Sequence, residues 1–236
     1  MENRNMVGGG YDYAIYPSLL DAYLRYKRTD DDETFQALFD KINGVRSEQT
    51  EAQLRGIAFE SVVNDLIDGT DVDLNEVGTH FVRDGFSFSL ELMYKIASKL
   101  RHCEMKQNYV ESVIETRVGR IKLYGIIDYR FEDMLVDLKS TSNYKVNKYT
   151  NSKEITHTQH LVYPLIRKNM GTPIRAFKYV VSDFENDFQE TYIPNENMES
   201  KLMAIIYEFV GFINYYKKNI TNMKVFGQVK EVSLCS

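Results

Sequence analysis

The stretch Tyr124-Gly125-Ile126-Ile127-Asp128-Tyr129-Arg130, continued by Phe131-Glu132-Asp133-Met134 and by Leu135-Val136-Asp137-Leu138-Lys139-Ser140-Thr141, decides how this chain is read. Two short apolar runs around a polar turn are the pattern of a hairpin. Asp128 ends the first run, and Asp137 and Lys139 stand two apart in the second, where a strand's period of two sets both on one face. Leu135, Val136 and Leu138 mark that second strand as buried, and an acid and an ammonium buried without partners are costly. Two carboxylates able to share a divalent cation, beside an ammonium, are suited to metal-assisted hydrolysis of a phosphodiester. A surface ion pair, worth under about 1 kcal/mol, is the bland alternative.

Working outward, Pro17 to Tyr26 reads as a helix with Ser18 as its cap, Phe35 to Ile42 as a second helix stopping at Asn43-Gly44, and Glu48 to Ile67 as a third closed by Asp68-Gly69. Leu54, Ile57, Ala58, Val62 and Leu66 keep helical spacing in that third helix. Asp68 to Glu76 reads as a surface loop and Leu90 to Leu100 as helix. Strands follow at Tyr109 to Val118, Lys122 to Arg130 and Leu135 to Lys139, the first two joined through Gly119-Arg120. A helix over His157 to Asn169, a strand over Arg175 to Val181 and a long helix from Asn197 to Lys218 complete the order. This order predicts an α/β fold with a mixed central sheet flanked by helices. One domain is expected over 1–236: a flexible start (1–16), a helical part (17–105), a sheet and helix carrying the chemistry (106–182) and a helical end (183–236).

With 43% hydrophobic and 27% charged residues the composition is that of a soluble globular chain, and no run approaches the roughly 18 apolar residues of a membrane helix. An N-terminus without an apolar leader points to the cytoplasm and away from secretion or a membrane. Cys103 and Cys235 are the only cysteines, which excludes a zinc ribbon or an iron-sulfur cluster. Without a Walker A motif no bound nucleotide is expected. The net charge of −5 hides an asymmetry: from Leu138 to Ser182 there are eight basic residues, Lys139 first among them, and one acid, Glu154. A positive field beside the hairpin suits a nucleic acid, and a solvated basic face has the same composition.

Four motifs occur in order: Gly56-Ile57-Ala58-Phe59-Glu60, Gly125-Ile126-Ile127-Asp128, Asp137-Leu138-Lys139 and Gln159-His160-Leu161-Val162-Tyr163. In this order they resemble the PD-(D/E)XK nuclease superfamily, in its RecB-like and lambda-exonuclease-like branch, over roughly residues 17–182. The resemblance implies a restriction-endonuclease-like core. It implies that Asp128, Asp137, Glu60 and the main-chain carbonyl of Leu138 bind one or two Mg²⁺ or Mn²⁺ ions, and that Lys139 orients or helps deprotonate the attacking water. Glutamate stands at position 60 where many RecB-like domains have histidine, which favours an all-oxygen site.

Gln159 and Tyr163, one helical turn apart, would act near the site, with Tyr163 on a substrate phosphate or base. Ser140, Thr141, Lys145, Lys148 and His160 are further substrate-binding candidates, since hydroxyls and lysines reach phosphates while Tyr144 and Tyr149 can stack on bases. Glu115 is a candidate near the metal or the DNA path. The implied activity is a deoxyribonuclease, an exonuclease in DNA recombination, repair or phage DNA processing. It would work on linear duplex or single strands in a bacterial or phage-infected cell, with a separate annealing protein or helicase as partner and with possible ring-shaped homo-oligomers. A structure-specific or restriction-type endonuclease, and a catalytically silent DNA-binding module on the same fold, are the alternatives.

Overall fold

The computed structural model describes residues 10–151 and 153–227. The expected flexible start therefore lies mostly outside the described residues, as does Cys235. The part of the start that is described forms a strand, β1 (Tyr13–Ile15), followed by the helices α1 (Pro17–Thr29), α2 (Asp32–Asn43) and α3 (Glu51–Asp68). A hairpin of β2 (His80–Arg83) and β3 (Phe86–Ser89) leads into α4 (Leu90–Leu100). Then come β4 (Met105–Thr116), β5 (Gly119–Arg130), β6 (Met134–Ser140), α5 (Gln159–Asn169), β7 (Ala176–Ser182), β8 (Asp187–Tyr192) and α6 (Glu196–Tyr215). The molecule is α/β with a six-stranded mixed sheet between helices.

Four expectations are corrected. The 17–105 and 183–236 parts are not purely helical, because they contain the β2–β3 hairpin and β8. Ser18 does not cap α1, which begins on Pro17 with Tyr16 as a cap residue lacking a side-chain bond, as suits proline's missing N–H. The β4–β5 turn falls at Arg117-Val118, with Gly119 (φ 119°) opening β5. Leu54 and Ile57 face outward at 43% and 49% exposure, and Phe59 and Val63 take their place in the core. The termini of α2 and α3 do close on left-handed glycines, Gly44 (φ 72°) and Gly69 (φ 71°). At its start α3 carries a capping box in which Thr50 and Gln53 satisfy each other's backbone N–H.

The sheet's arrangement around β5 positions the site. Along one edge β5 pairs antiparallel with nearly the whole of β4. Its other edge is shared: parallel β1 pairs at Ile121–Leu123, while antiparallel β6 pairs only at Tyr129↔Val136 and Arg130↔Leu135. Beyond those two pairs β5 and β6 diverge, and β6 continues as a full parallel partner of β7, reached through a crossover that includes α5. The sheet thus forks.

One hydrophobic cluster joins α1, α2, α5 and α6 to Leu123, Ile127, Leu135, Phe177 and Tyr179. The other joins α3 and α4 to Tyr129, Val136, Leu138 and Val180. Fully buried anchors such as Phe59 and Phe209 each contribute roughly 1.5–3 kcal/mol.

Gly125 lies where α5 crosses β5. A Cβ there would sit 2.7 Å from the Tyr163 hydroxyl and 2.8 Å from Cε1, so the missing side chain is what lets Tyr163 reach the strand. Gly125→Ala is expected to lower the unfolding free energy by about 1–3 kcal/mol through overpacking, measured by urea denaturation. A variant as stable as the parent would show that this close approach is not required.

Candidate active site

Continuing the β5–β6 register by one step sets Asp128 opposite Asp137, just past the last ladder pair. No ladder pair forms there; instead the Leu138 N–H donates to Asp128 Oδ2 at 3.1 Å. A carboxylate thus stands in for the strand partner that the fork removes. Burial pushes the Asp128 carboxyl well above its usual range, and the Asp137 charge pushes it further up.

Asp137 is 1% exposed. The Gln159 amide donates to its Oδ1 at 2.5 Å, and Lys139 Nζ lies 2.7 Å from its Oδ2 as an ion pair, although that oxygen has no partner in hydrogen-bond geometry. Burial presses the Lys139 ammonium down, but the charges of Asp137 and Asp128 outweigh it and raise its pKa above the ordinary lysine value.

Glu60 comes from α3. Burial and the Asp137 charge raise its carboxyl pKa, while Lys139 and a 2.7 Å hydrogen bond donated by the Gln107 amide act in the opposite sense. Gln107 has φ 49°, a left-handed conformation rare outside glycine, and lies on β4 where the pair with Asp128 is missing from the ladder. At that point the alternation of β5 slips, so that Ile127 packs toward α5 while Tyr129 packs toward α3 and donates to Asn64 Oδ1 at 3.0 Å.

Gly56, one turn before Glu60, brings α3 against β6. A Cβ there would lie 2.8 Å from Ser140 Oγ. Between them α3 and β6 line a groove of about 550 Å³ with Gly56, Ile57, Glu60, Leu138, Lys139 and Ser140 on its walls. An adjoining depression of about 450 Å³ adds Gln107 and Asp128. Glu60, Asp128 and Lys139 are thus reached from solvent along α3, while Asp137 itself is buried.

Among the described residues no three His, Cys, Asp or Glu side chains form a cluster able to hold a metal ion. The two-carboxylate pair nevertheless fits a hard divalent cation: its donors are all oxygen, and a buried Asp137 oxygen lacks a hydrogen bond. Glu60, engaged by Gln107, does not complete a three-carboxylate cluster.

The other predicted residues divide. Tyr163 is buried, and its hydroxyl donates to the Ile126 carbonyl at 2.8 Å, so it braces β5 and does not face a substrate. His160 is 1% exposed among Phe177, Tyr179 and Tyr192, with Nδ1 3.1 Å from the Tyr179 hydroxyl. Burial lowers its pKa to about 3, and the neutral ring is a core residue out of reach of a phosphate. Glu115 pairs with Arg120, eight residues before Asp128 and so roughly 26 Å away along β5.

Ser140 lines the groove and Lys145 is exposed in the following loop. Lys148 donates to Thr141 Oγ1 at 2.9 Å. Tyr149 is buried against Tyr179, and Tyr144 stacks on Phe188 at 4.2 Å, so neither tyrosine stands free for a base. The basic run is not one face either: Lys168 pairs with Glu199 and Arg175 with Asp133, away from the acids of the groove.

Asp21 on α1 carried no signal in the sequence. Its Oδ1 accepts from the Thr158 N–H at 2.8 Å and the Thr158 hydroxyl at 2.7 Å, tying the start of α5 to α1. Gln159, the next residue, is thereby set beside Asp137.

No protein-family model matches the chain, and no curated protein matches it. Among solved structures it is similar to a "putative exonuclease" from Eubacterium rectale at 15% identity and a TM-score of 0.47, covering 77% of this chain and 73% of that one. It is also similar to SSO0001 at 10% identity and a TM-score of 0.45, covering 83% of this chain and 76% of that one. The functional reading therefore rests on the residues.

Burial raises the Asp21 pKa to about 6, so the folded state holds this proton more tightly than the unfolded state does. Its stabilising contribution is complete below about pH 4 and is lost as pH rises through about 6. Asp21→Asn, which keeps an oxygen acceptor for Thr158, should gain stability relative to the parent between about pH 4 and about pH 7 in urea titrations. A difference independent of pH would contradict this.

Proposed function

We propose that this chain is a divalent-metal-dependent nuclease of the PD-(D/E)XK type, hydrolysing phosphodiester bonds in DNA and working as an exonuclease. The observation that carries the reading is the buried Asp137, opposite Asp128 where β5 and β6 part, with Lys139 on the same strand face at a solvent-open groove. A fold gains no stability from two desolvated acids set against each other, and such arrangements concentrate at sites that act on a ligand.

Asp128 and Asp137 would hold the cation, joined by the Leu138 carbonyl. When bound, the cation lowers the pKa of a water and polarises a phosphoryl oxygen. The chain's own groups do the rest. The Leu138 N–H and the Gln159 amide fix the directions of the two carboxylates, as second-shell donors do at metal sites. Lys139 places a positive charge where negative charge develops on the phosphate. Glu60 stands on the opposite wall, able to orient a water once Gln107 releases it. The open groove and the exposed Ile57 and Ile126 leave room for a strand to lie along α3. An endonuclease on the same core is the second reading, and the substrate's ends separate the two.

Linear duplex, single strand and covalently closed circle, each with Mg²⁺, Mn²⁺ or EDTA, test the proposal. Cation-dependent release of nucleotides from linear DNA with the closed circle intact is expected; nicking of the circle would replace the exonuclease by the endonuclease, and cleavage undiminished in EDTA would overturn both. Asp137→Asn and Lys139→Ala should each lower kcat by at least about 10²-fold. Asp128→Asn should abolish cleavage yet raise the melting temperature, because it removes a like charge facing Asp137 and keeps an acceptor for the Leu138 N–H. A fall in melting temperature would count against this account of the pair.

A further inference from the structure

Next to the groove lies a smaller depression of about 260 Å³, lined by Glu51, Ala52, Arg55, Ser140, Thr141, Ser142 and Phe184. It shares Ser140 with the groove itself, so the two are continuous past the end of β6. Its floor is a strained turn. Phe184, between β7 and β8, has φ 74°, a left-handed conformation that is strained for a bulky residue. The turn is held there by its neighbours: the Phe184 N–H donates to Ser182 Oγ at 3.0 Å, and Asp183 Oδ1 accepts from the N–H groups of Glu185 at 3.0 Å and Asn186 at 2.6 Å.

Strained in this way, Phe184 packs edge-on against Phe59 at 5.5 Å and presents a face to Arg55, whose guanidinium carbon lies 3.9 Å from the ring centroid. Packing against Phe59 and Phe88 accounts for the ring. It does not account for the arginine.

Stacking uses the flat face of a guanidinium and leaves its edge donors unspent. Among the described residues no hydrogen bond or ion pair engages the Arg55 guanidinium. Three hydroxyl residues, Ser140, Thr141 and Ser142, border the same depression, and the Lys148 ammonium is joined to Thr141 Oγ1 at 2.9 Å. Glu51 is the one acid on the rim, and it is exposed. A pre-oriented planar fork, hydroxyl donors and a second cation form a set suited to phosphate oxygens. Arg55 precedes Glu60 by five residues on α3, about 7.5 Å along the helix axis.

We propose that Arg55, stacked on Phe184, and the hydroxyls of Ser140, Thr141 and Ser142 form a phosphate subsite that holds the substrate strand beside the bond to be cut. The subsite rests on the reading of the groove as a nuclease site for its role in cleavage. Its affinity for phosphate is separable from that reading. Arg55 acts here as a binding residue for the flanking backbone.

Two measurements on the full chain decide it. In the first, inorganic phosphate is titrated against ¹⁵N-labelled protein, and the Arg55 Nε–H signal, assigned by its loss in Arg55→Lys, is expected to shift saturably. In the second, Arg55→Ala should raise KM for linear DNA about tenfold or more, with kcat falling by less. The slope of log KM against log salt should decrease by about one charge. Arg55→Lys, which keeps the charge and loses the fork, should recover the salt slope but less than half of the lost affinity. Phe184→Leu should weaken DNA binding in the same direction with the arginine intact.

No shift at Arg55, or a KM within twofold of the parent in Arg55→Ala, overturns the subsite while normal cleavage leaves the nuclease reading standing. A shift without any change in KM means an adventitious ion only and also overturns it. If the parent neither binds nor cleaves DNA, the nuclease reading fails, and the phosphate titration alone decides whether the subsite exists.

Discussion

The two-residue β5–β6 ladder is the constraint on which the rest of the structure depends. Strands that pair along their length satisfy each other's backbone and leave no room between them. Here pairing stops after Tyr129↔Val136, and the Leu138 N–H turns to the Asp128 carboxylate. That substitution opens a gap in the sheet at the place where Asp128 and Asp137 face each other. It leaves both acids desolvated and short of positive charge, with the Lys139 ammonium as the nearest cation.

The elements around the fork act on that gap. α3 brings Glu60 to one wall, and it can come close to β6 because Gly56 has no side chain to meet Ser140. α5 crosses on the other face, tied to α1 through Asp21 and Thr158, and delivers Gln159 to Asp137 and Tyr163 to the β5 backbone. The loop after β6 is clamped from β8, where buried Glu190 accepts from the N–H groups of Tyr149 at 3.0 Å and Thr150 at 2.9 Å and from the Thr150 hydroxyl at 3.0 Å. A segment whose composition reads as nucleic-acid-gripping is thus anchored at Tyr149 and Thr150, while Ser142 to Asn147 remain mostly exposed, Lys145 among them.

Much of this was legible beforehand because it depends on local periodicity. Hairpin alternation, helix spacing and the glycines ending α2 and α3 are properties of neighbouring residues. The order of four short motifs likewise pointed to the residues that the structure gathers: Glu60, Asp128, Asp137, Lys139 and Gln159. Tyr163 was read as a substrate contact from its one-turn spacing to Gln159 after Asp137-Leu138-Lys139, and His160 from its nearness to them in sequence, but spacing does not say which way a helix turns its faces, and packing turned both inward. The eight basic residues seemed one field because they adjoin in sequence; Glu199 and Asp133, distant in sequence, neutralise two of them. Gln107, Asp21 and Phe184 had no signal at all, since backbone strain and burial come from the partners a residue meets.

The sequence by itself determined the α/β class, the order of the six helices and of the strands β4 to β7, and the acids and lysine on adjoining strands, because these follow from side-chain period and turn chemistry over a few residues; β1, the β2–β3 hairpin and β8 were not read from it. Only the tertiary structure decided that β5 and β6 part at Asp128, that Gln107 and Gln159 hold two of the acids, that Tyr163 and His160 belong to the core, and that Arg55 rests on Phe184. Those features depend on contacts between segments far apart in the chain, where close packing and the need to satisfy every buried polar group choose among arrangements that local pattern leaves equal.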